Sequence, residues 1–130
     1  MELSIEGLDV VQTYLFGDVR FLNLLVLLMF VDIITGVAKA IKEGNLLSRS
    51  AFYGFLRKIG IFAVIILANV IDQILSLNGV LAFSSVLFYT ANEGLSILEN
   101  LSQLGVPVPK SIQDKLHVIK NENDGEGEDN

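Results

Sequence analysis

The sequence contains 130 residues, of which 52% are apolar and 18% are charged, and its mean hydropathy is +0.56. A chain of this length that folded in water would leave a large share of its surface exposed, so this composition excludes an ordinary soluble domain and favours a membrane protein. The absence of cysteine excludes a disulfide framework and a thiolate metal centre.

The net charge of −6 comes almost entirely from the C-terminus. Residues 121–130 hold five acidic residues and no basic one, so the rest of the chain is nearly neutral. A chain without a basic surface is not typical of nucleic-acid-binding proteins, and we expect no nucleic-acid partner. The glycine-rich acidic composition of this segment predicts a disordered tail, which leaves residues 1–120 as a single membrane domain.

The first twenty residues are predicted to form a short helix at the membrane surface. Leu8, Val11 and Leu15 fall on one helical face, while Glu6 and Asp9 fall elsewhere. A frayed terminus is the alternative for this segment. Acidic rather than basic residues precede the first apolar run, so the sequence does not predict a cleavable signal peptide.

Three apolar runs follow, at residues 21–38, 59–77 and 79–98. Crossing the roughly 30 Å hydrocarbon core of a bilayer takes about 20 residues of helix, and each run approaches that length. Only Asn78 and Gly79 mark the turn between the second run and the third, which predicts a tight helical hairpin. The predicted fold is an all-α membrane protein with three transmembrane helices.

Basic residues predict the orientation of these helices. The link from 39 to 58 contains five basic residues and one acidic residue, and short loops rich in Lys and Arg stay in the cytoplasm. Three spans then place the N-terminus outside and the C-terminus in the cytoplasm. A first run that only lies on the surface would leave two spans with both ends in the cytoplasm. The basic residues do not separate these arrangements, because only Arg20 changes sides.

The segments that flank the second and third spans also have interpretable patterns. Aromatic residues at positions 52, 53 and 55 beside Arg57 and Lys58 predict an interfacial anchor where the second helix enters the membrane. Pro107 and Pro109 are predicted to end the third helix, because proline lacks the amide proton that a helix interior needs. The capping-box spacing of Ser111 and Asp114 then predicts a short amphipathic helix before the tail.

Polar side chains recur at helical spacing in all three spans, although each is costly to place in lipid. One interpretation is hydrogen bonding across a compact three-helix monomer, and the other is contact between copies, or with water, inside an oligomer. We favour self-association, because polar residues line all three helices. The predicted intramembrane assembly positions are Asp32, Gly36, Asn69, Asp72, Asn92, Glu93, Ser96 and Glu99.

Two carboxylates in this set are predicted to lie at similar depth. Asp32 is about six residues from the cytoplasmic end of its span, and Glu93 is about five residues from the same end of its own. Two carboxylates at one level in a medium of low dielectric should not both remain ionised unless water or a base such as Lys39 reaches them.

Catalytic chemistry is not indicated by the sequence. The single histidine, His117, lies beyond the spans, and the sequence contains neither a glycine-rich phosphate loop nor the spacing of a metal-ligand cluster. We therefore predict that the protein is not an enzyme and that it uses no metal ion or cofactor.

Four segments carry a resemblance to a known family. They are DIITGVAKA from Asp32, SRSAFYGFLRKIG from Ser48, ANVID ending at Asp72 and NEGLSILENLSQLGVPVPKSI from Asn92. Together they resemble the holins of phage lysis and toxin secretion, a family that includes small clostridial toxin-release proteins. The resemblance covers roughly residues 25–117, and the last segment is its most specific part.

The resemblance implies a protein that accumulates in the bacterial cytoplasmic membrane, oligomerises among the membrane lipids and permeabilises the membrane so that an endolysin can act. It adds motif positions at Gly54, Lys58, Asn100, Pro107 and Pro109. Many holins end in a basic tail, whereas this tail is acidic. The alternatives are a subunit of a small transporter or toxin-export system, and a membrane scaffold. A transporter often contains paired repeats, which are not found in this sequence.

Overall fold

The structure is a computed structural model that describes residues 5–45 and 49–124. This part of the chain contains five α-helices and no strand, which confirms the all-α prediction. The helices are α1 (Ile5–Phe16), α2 (Leu22–Glu43), α3 (Arg49–Leu75), α4 (Val80–Gln103) and α5 (Lys110–Asn123).

Three of these helices are long and apolar enough to cross a membrane. Helices α2, α3 and α4 contain 22, 27 and 24 residues, and even the shortest is about 33 Å long at 1.5 Å per residue. Each helix is longer than the apolar run predicted for it. Polar residues at the end of a run continue the helix until a residue such as a C-cap glycine ends it. Helix α2 ends at Glu43 and is capped by Gly44, whose φ of 75° lets the Gly44 and Asn45 amides bond back to the last turn.

The three long helices run antiparallel in chain order. We name the two ends of this bundle the turn end, where α3 passes into α4, and the link end, where α2 ends and α3 begins. At the turn end, residues 76–79 form a tight connection with positive φ at Ser76, Asn78 and Gly79. At the link end, Lys42 Nζ donates to the carbonyl of Gln103 at 2.7 Å, which ties α2 to α4.

Helix α4 is the centre of the bundle, because α2, α3 and α5 all pack against it. The fully buried side chains Leu25, Ile65 and Val86 come from α2, α3 and α4 in turn. Outside this thin core the apolar side chains point outwards, and Phe30, for example, is 61% exposed. A protein surrounded by lipid can expose an apolar exterior of this kind around a narrow core.

The two short helices flank the bundle. Helix α1 confirms the predicted N-terminal helix and packs against α3. The predicted capping box is wrong: α5 begins at Lys110, its N-cap is Pro109, and no side chain caps it. Pro109 has a φ of −61°, which starts the helix before Ser111 is reached. Helix α5 ends at Asn123, inside the predicted tail, and residues 125–130 lie outside the described residues.

Candidate functional site

Lys58 joins the three long helices at one point. Its Nζ donates to Oδ2 of Asp32 at 2.6 Å and to both carboxylate oxygens of Glu93 at 3.2 Å. The side chains of Lys58, Asp32 and Glu93 are only 16%, 10% and 6% exposed. One ammonium from α3 therefore bridges a carboxylate of α2 and a carboxylate of α4 inside the bundle.

The second oxygen of Asp32 is also fully engaged. Oδ1 accepts hydrogen bonds from Ser96 Oγ at 2.7 Å and from Asn100 Nδ2 at 3.0 Å. The same Asn100 amide donates to the backbone carbonyl of Asp32 at 3.3 Å and to Thr35 Oγ1 at 3.0 Å. Buried carboxylates persist when charge pairs and hydrogen bonds compensate their lost hydration, and Asp32 has both.

We name this group the ion cluster; its members are Asp32, Lys58, Glu93, Ser96 and Asn100. It contains two carboxylates and one ammonium. The base that meets both carboxylates is Lys58 and not Lys39, because Lys39 lies about 10 Å along α2 from Asp32, whereas α3 brings Lys58 against both partners. Lys58 is therefore not part of the predicted interfacial anchor, since the aliphatic stem of a lysine lets its charge reach inwards as well as outwards, whereas Arg57 of the same anchor is exposed.

Asp72 performs a different task at the turn end. Its Oδ1 accepts from the amide of Leu81 at 2.9 Å and its Oδ2 from the amide of Ala82 at 2.8 Å. These amides belong to the first turn of α4, where no partner within the helix is available. The N-cap residue Gly79 has no side chain to supply one. A buried carboxylate from α3 thus caps α4 and complements the positive end of its dipole.

Asn69 holds the N-terminal helix in place at the same end of the bundle. Its Nδ2 donates to the carbonyls of Leu15 at 3.0 Å and Tyr14 at 3.4 Å, in the last turn of α1. Gly17 makes this approach feasible, because its φ is +68° and a Cβ there would lie 2.8 Å from Asn69 Oδ1. Asn69 therefore satisfies carbonyls that the end of α1 leaves free.

The predicted assembly set is thus divided between two ends of the molecule. The ion cluster contains Asp32, Glu93 and Ser96, and Gly36 lies beside it, since a Cβ at Gly36 would be 3.6 Å from Asn100 Nδ2. Asn69 bonds to the C-terminal end of α1, and Asp72 caps the N-terminal end of α4. Asn92 is half-buried and Glu99 is exposed, and neither belongs to the cluster. Hydrogen bonds within one chain satisfy the polar side chains of Asp32, Asn69, Asp72 and Glu93. This is what the interpretation as a compact three-helix monomer requires.

The positions contributed by the resemblance have separate locations. Lys58 and Asn100 lie in the ion cluster, and periodicity within a single span did not identify either of them. A Cβ at Gly54 would meet nothing within 4 Å, so no contact in this structure requires a glycine there. Pro107 and Pro109 lie in the connection from α4 to α5. Within residues 5–45 and 49–124, no group of His, Asp and Glu side chains is arranged to hold a metal ion.

Comparison with known proteins identifies the family. The sequence model of the bacteriophage holin family matches residues 10–121, which include all of α2, α3 and α4. The chain belongs to the bacteriophage holin family. Every member of the ion cluster in this holin-family protein lies within the matched region.

Individual relatives are similar over nearly their whole length. A "Probable holin" of Bacillus phage phi105 is 55% identical over 124 residues, which cover 95% of this holin and 92% of the relative. The uncharacterized protein YqxH of Bacillus subtilis is 56% identical over 120 residues, which cover 92% of this chain and 86% of the relative. The uncharacterized protein CPE0383 of Clostridium perfringens is 36% identical over 127 residues, which cover 95% of this chain and 93% of the relative. No solved structure matches this chain.

Proposed function

We propose that this protein oligomerises in the bacterial cytoplasmic membrane and permeabilises it, so that an endolysin reaches the cell wall. Membership of the holin family supports a role in phage lysis. The observation that carries the proposal is the combination of three span-length helices with a buried ion cluster that holds them together. The protein acts by changing the membrane, without catalysing a reaction and without a cofactor.

The orientation in this proposal follows the basic residues. The link end lies in the cytoplasm, and the C-terminal segment leaves α4 from that end. The turn end, with α1 beside it, lies at the outer face of the membrane. Residues 1–120 then form one membrane domain with three spans.

The ion cluster fits a protein that accumulates intact before it acts. Inside one chain Lys58 pairs with both carboxylates and offsets one of their two charges, while Ser96 and Asn100 donate hydrogen bonds to Asp32, so a single copy carries less uncompensated charge into lipid. An uncompensated charge in the bilayer would cost several kcal/mol, which keeps this closed arrangement intact. When copies associate and water enters between them, water can replace these contacts, and the polar groups then line a hydrated opening.

Expression in a bacterium tests the proposal directly. The protein is induced with and without a co-expressed endolysin, and the membrane potential is followed with a potential-sensitive dye. We expect depolarisation in both cultures and a fall in turbidity only with the endolysin. A membrane that stays polarised would favour the scaffold. Depolarisation that never releases the endolysin would favour a transporter or export subunit.

A further inference from the structure

The surface of the bundle differs between its two sides near the link end. On α2, beyond the ion cluster, Ile34 and Ile41 are 65% and 63% exposed. On α3, before Lys58, Phe52 and Phe55 are 62% and 56% exposed. Exposed apolar side chains at these positions indicate that the lipid-facing surface continues past the level of the ion cluster on this side.

Helix α5 occupies the other side at the same height. Gly94 lies nine residues before the end of α4, and Leu116 lies six residues after the start of α5. A Cβ at Gly94 would be 2.8 Å from Leu116 Cδ2, so α5 folds back along α4 and contacts it closely. Because Gly94 follows Glu93, Leu116 reaches the level of the ion cluster.

The outward face of α5 holds most of the ionisable residues of this helix, beside the exposed apolar residues Ile112 and Val118. No residue of α5 is buried, and the inward stripe is only half-buried, at Leu116, Ile119, Lys120 and Asn123. The exposed ionisable residues of α5 are Lys110, Asp114, Lys115, His117 and Glu122. Placing a lysine or aspartate in the middle of a bilayer costs about 3 kcal/mol each on insertion scales, so this face is unsuited to lipid.

The polar surface extends from α5 onto α4. A cleft of about 550 Å³ between the two helices is lined by the polar residues Glu99, Ser102, Gln113 and His117, together with apolar neighbours. Glu99, which bonds to none of the ion-cluster residues, opens onto this cleft. Helices α4 and α5 therefore both contribute polar side chains to one cleft, and α5 packs against α4 rather than against the exposed apolar residues of α2 and α3.

We propose that α5 faces the aqueous passage when copies of this chain assemble, while α2 and α3 face the lipid. The partner is a second copy of the same chain, because only water shared between copies gives a charged helix at this height a favourable environment. This proposal rests on the proposed permeabilising function and assigns its water-facing surface. The charged side chains of α5 then set the conductance and ion preference of the opening.

Single cysteines test this assignment, since the native chain has none. Gln113→Cys and Asn121→Cys place thiols on the exposed face of α5 without changing its charge. Leu27→Cys on α2 and Leu67→Cys on α3 are the matched controls, with native side chains that are 55% and 57% exposed. The conductance and cation-to-anion permeability ratio of planar bilayers containing each variant are measured before and after a negatively charged methanethiosulfonate reagent, and labelling is quantified by mass.

We expect the two α5 variants to be labelled, to lose conductance and to shift their permeability ratio towards cations, while both controls stay unlabelled and unchanged. Full conductance after labelled Gln113→Cys and Asn121→Cys would overturn the assignment, and so would equal effects at Leu27→Cys. The first result would mean that α5 lies away from the passage, the second that α2 also meets water, and in both cases the permeabilising function stands. Unmodified wild-type protein that gives no conductance would instead overturn the permeabilising function, and this assignment with it.

Discussion

Asp72 Oδ2 accepts a hydrogen bond from the backbone amide of Ala82 at 2.8 Å, and this bond locks the α3–α4 hairpin. The two residues lie ten positions apart, on either side of the tight turn. A carboxylate that resembles a functional intramembrane acid in the sequence is thus a cap for the next helix. Its burial is compensated because each of its oxygens accepts from one free amide at the start of α4.

The first prediction concerns this cap. Asp72→Ala removes both acceptors and should destabilise the hairpin by about 1–2 kcal/mol, the usual cost of losing an N-cap. Asp72→Asn should lose less, because its amide oxygen still accepts one bond. Unfolding of the purified protein in detergent, followed by circular dichroism, measures the difference.

Gln73→Ala is the matched control for the cap. Gln73 is the next residue of α3 and is exposed, so its replacement should leave stability within about 0.5 kcal/mol of the native protein. If Asp72→Ala is no less stable than Gln73→Ala, the cap contributes nothing in detergent and Asp72 has another role.

The second prediction concerns the lysine of the ion cluster. Lys58→Met keeps the aliphatic stem but leaves Asp32 and Glu93 facing each other without a cation. Removing one partner of a buried ion pair typically costs about 3–5 kcal/mol, so we expect a large loss of stability in detergent. Combining it with Asp32→Leu and Glu93→Leu removes all three charges and should restore part of that loss.

Arg57→Met provides the comparison for Lys58→Met. Arg57 precedes Lys58 on α3 but is exposed, so losing its charge should change stability by no more than about 0.5 kcal/mol. Equal stability of the Arg57→Met and Lys58→Met variants would contradict the buried position of Lys58.

The sequence predicts helices more readily than the pairing of their side chains. Apolar runs and the Asn78–Gly79 turn are local signals, and the three long helices follow from them. Contact between Lys58 and two carboxylates from other helices depends on how the three helices are rotated relative to one another. The spacing of residues along any one helix does not specify that rotation. The matching depth of Asp32 and Glu93 was the part of the cluster that a residue count along antiparallel helices could supply.

The capping roles of Asn69 and Asp72 were not accessible from the sequence for a related reason. Both residues lie near the end of an apolar run, where a polar side chain fits lipid contact, assembly or capping equally well. What decides between these roles is the position of free amides or carbonyls on a neighbouring helix. Those groups become visible only once the helix ends are placed in space.

The third prediction concerns topology. A membrane-impermeant thiol reagent applied to intact cells should label Asn78→Cys at the turn end and spare Asn45→Cys at the link end, because the basic link stays in the cytoplasm. Asp18→Cys, between α1 and α2, should be labelled if α2 crosses the membrane. Labelling after cell disruption confirms that each thiol is reactive. Labelling of Asn45→Cys alone would invert the orientation, and protection of Asp18→Cys would favour two spans.

The last prediction concerns the contact between α4 and α5. Gly94→Ala places a methyl group 2.8 Å from Leu116 Cδ2, so the Leu116 side chain must move away from α4 and lose part of its packing there. Alanine in a helix is favoured over glycine by up to about 1 kcal/mol, and overpacking costs about 1–3 kcal/mol, so we expect a net loss of stability.

Gly60→Ala, in open space on α3, should instead show the helix-propensity gain alone. Adding Leu116→Ala to Gly94→Ala makes room for the methyl group and should recover stability relative to Leu116→Ala alone. Hydrogen exchange should locate the loosening of Gly94→Ala in α5 and leave α2 and α3 protected. Equal stabilisation by Gly60→Ala and Gly94→Ala would mean that α5 does not rest on α4.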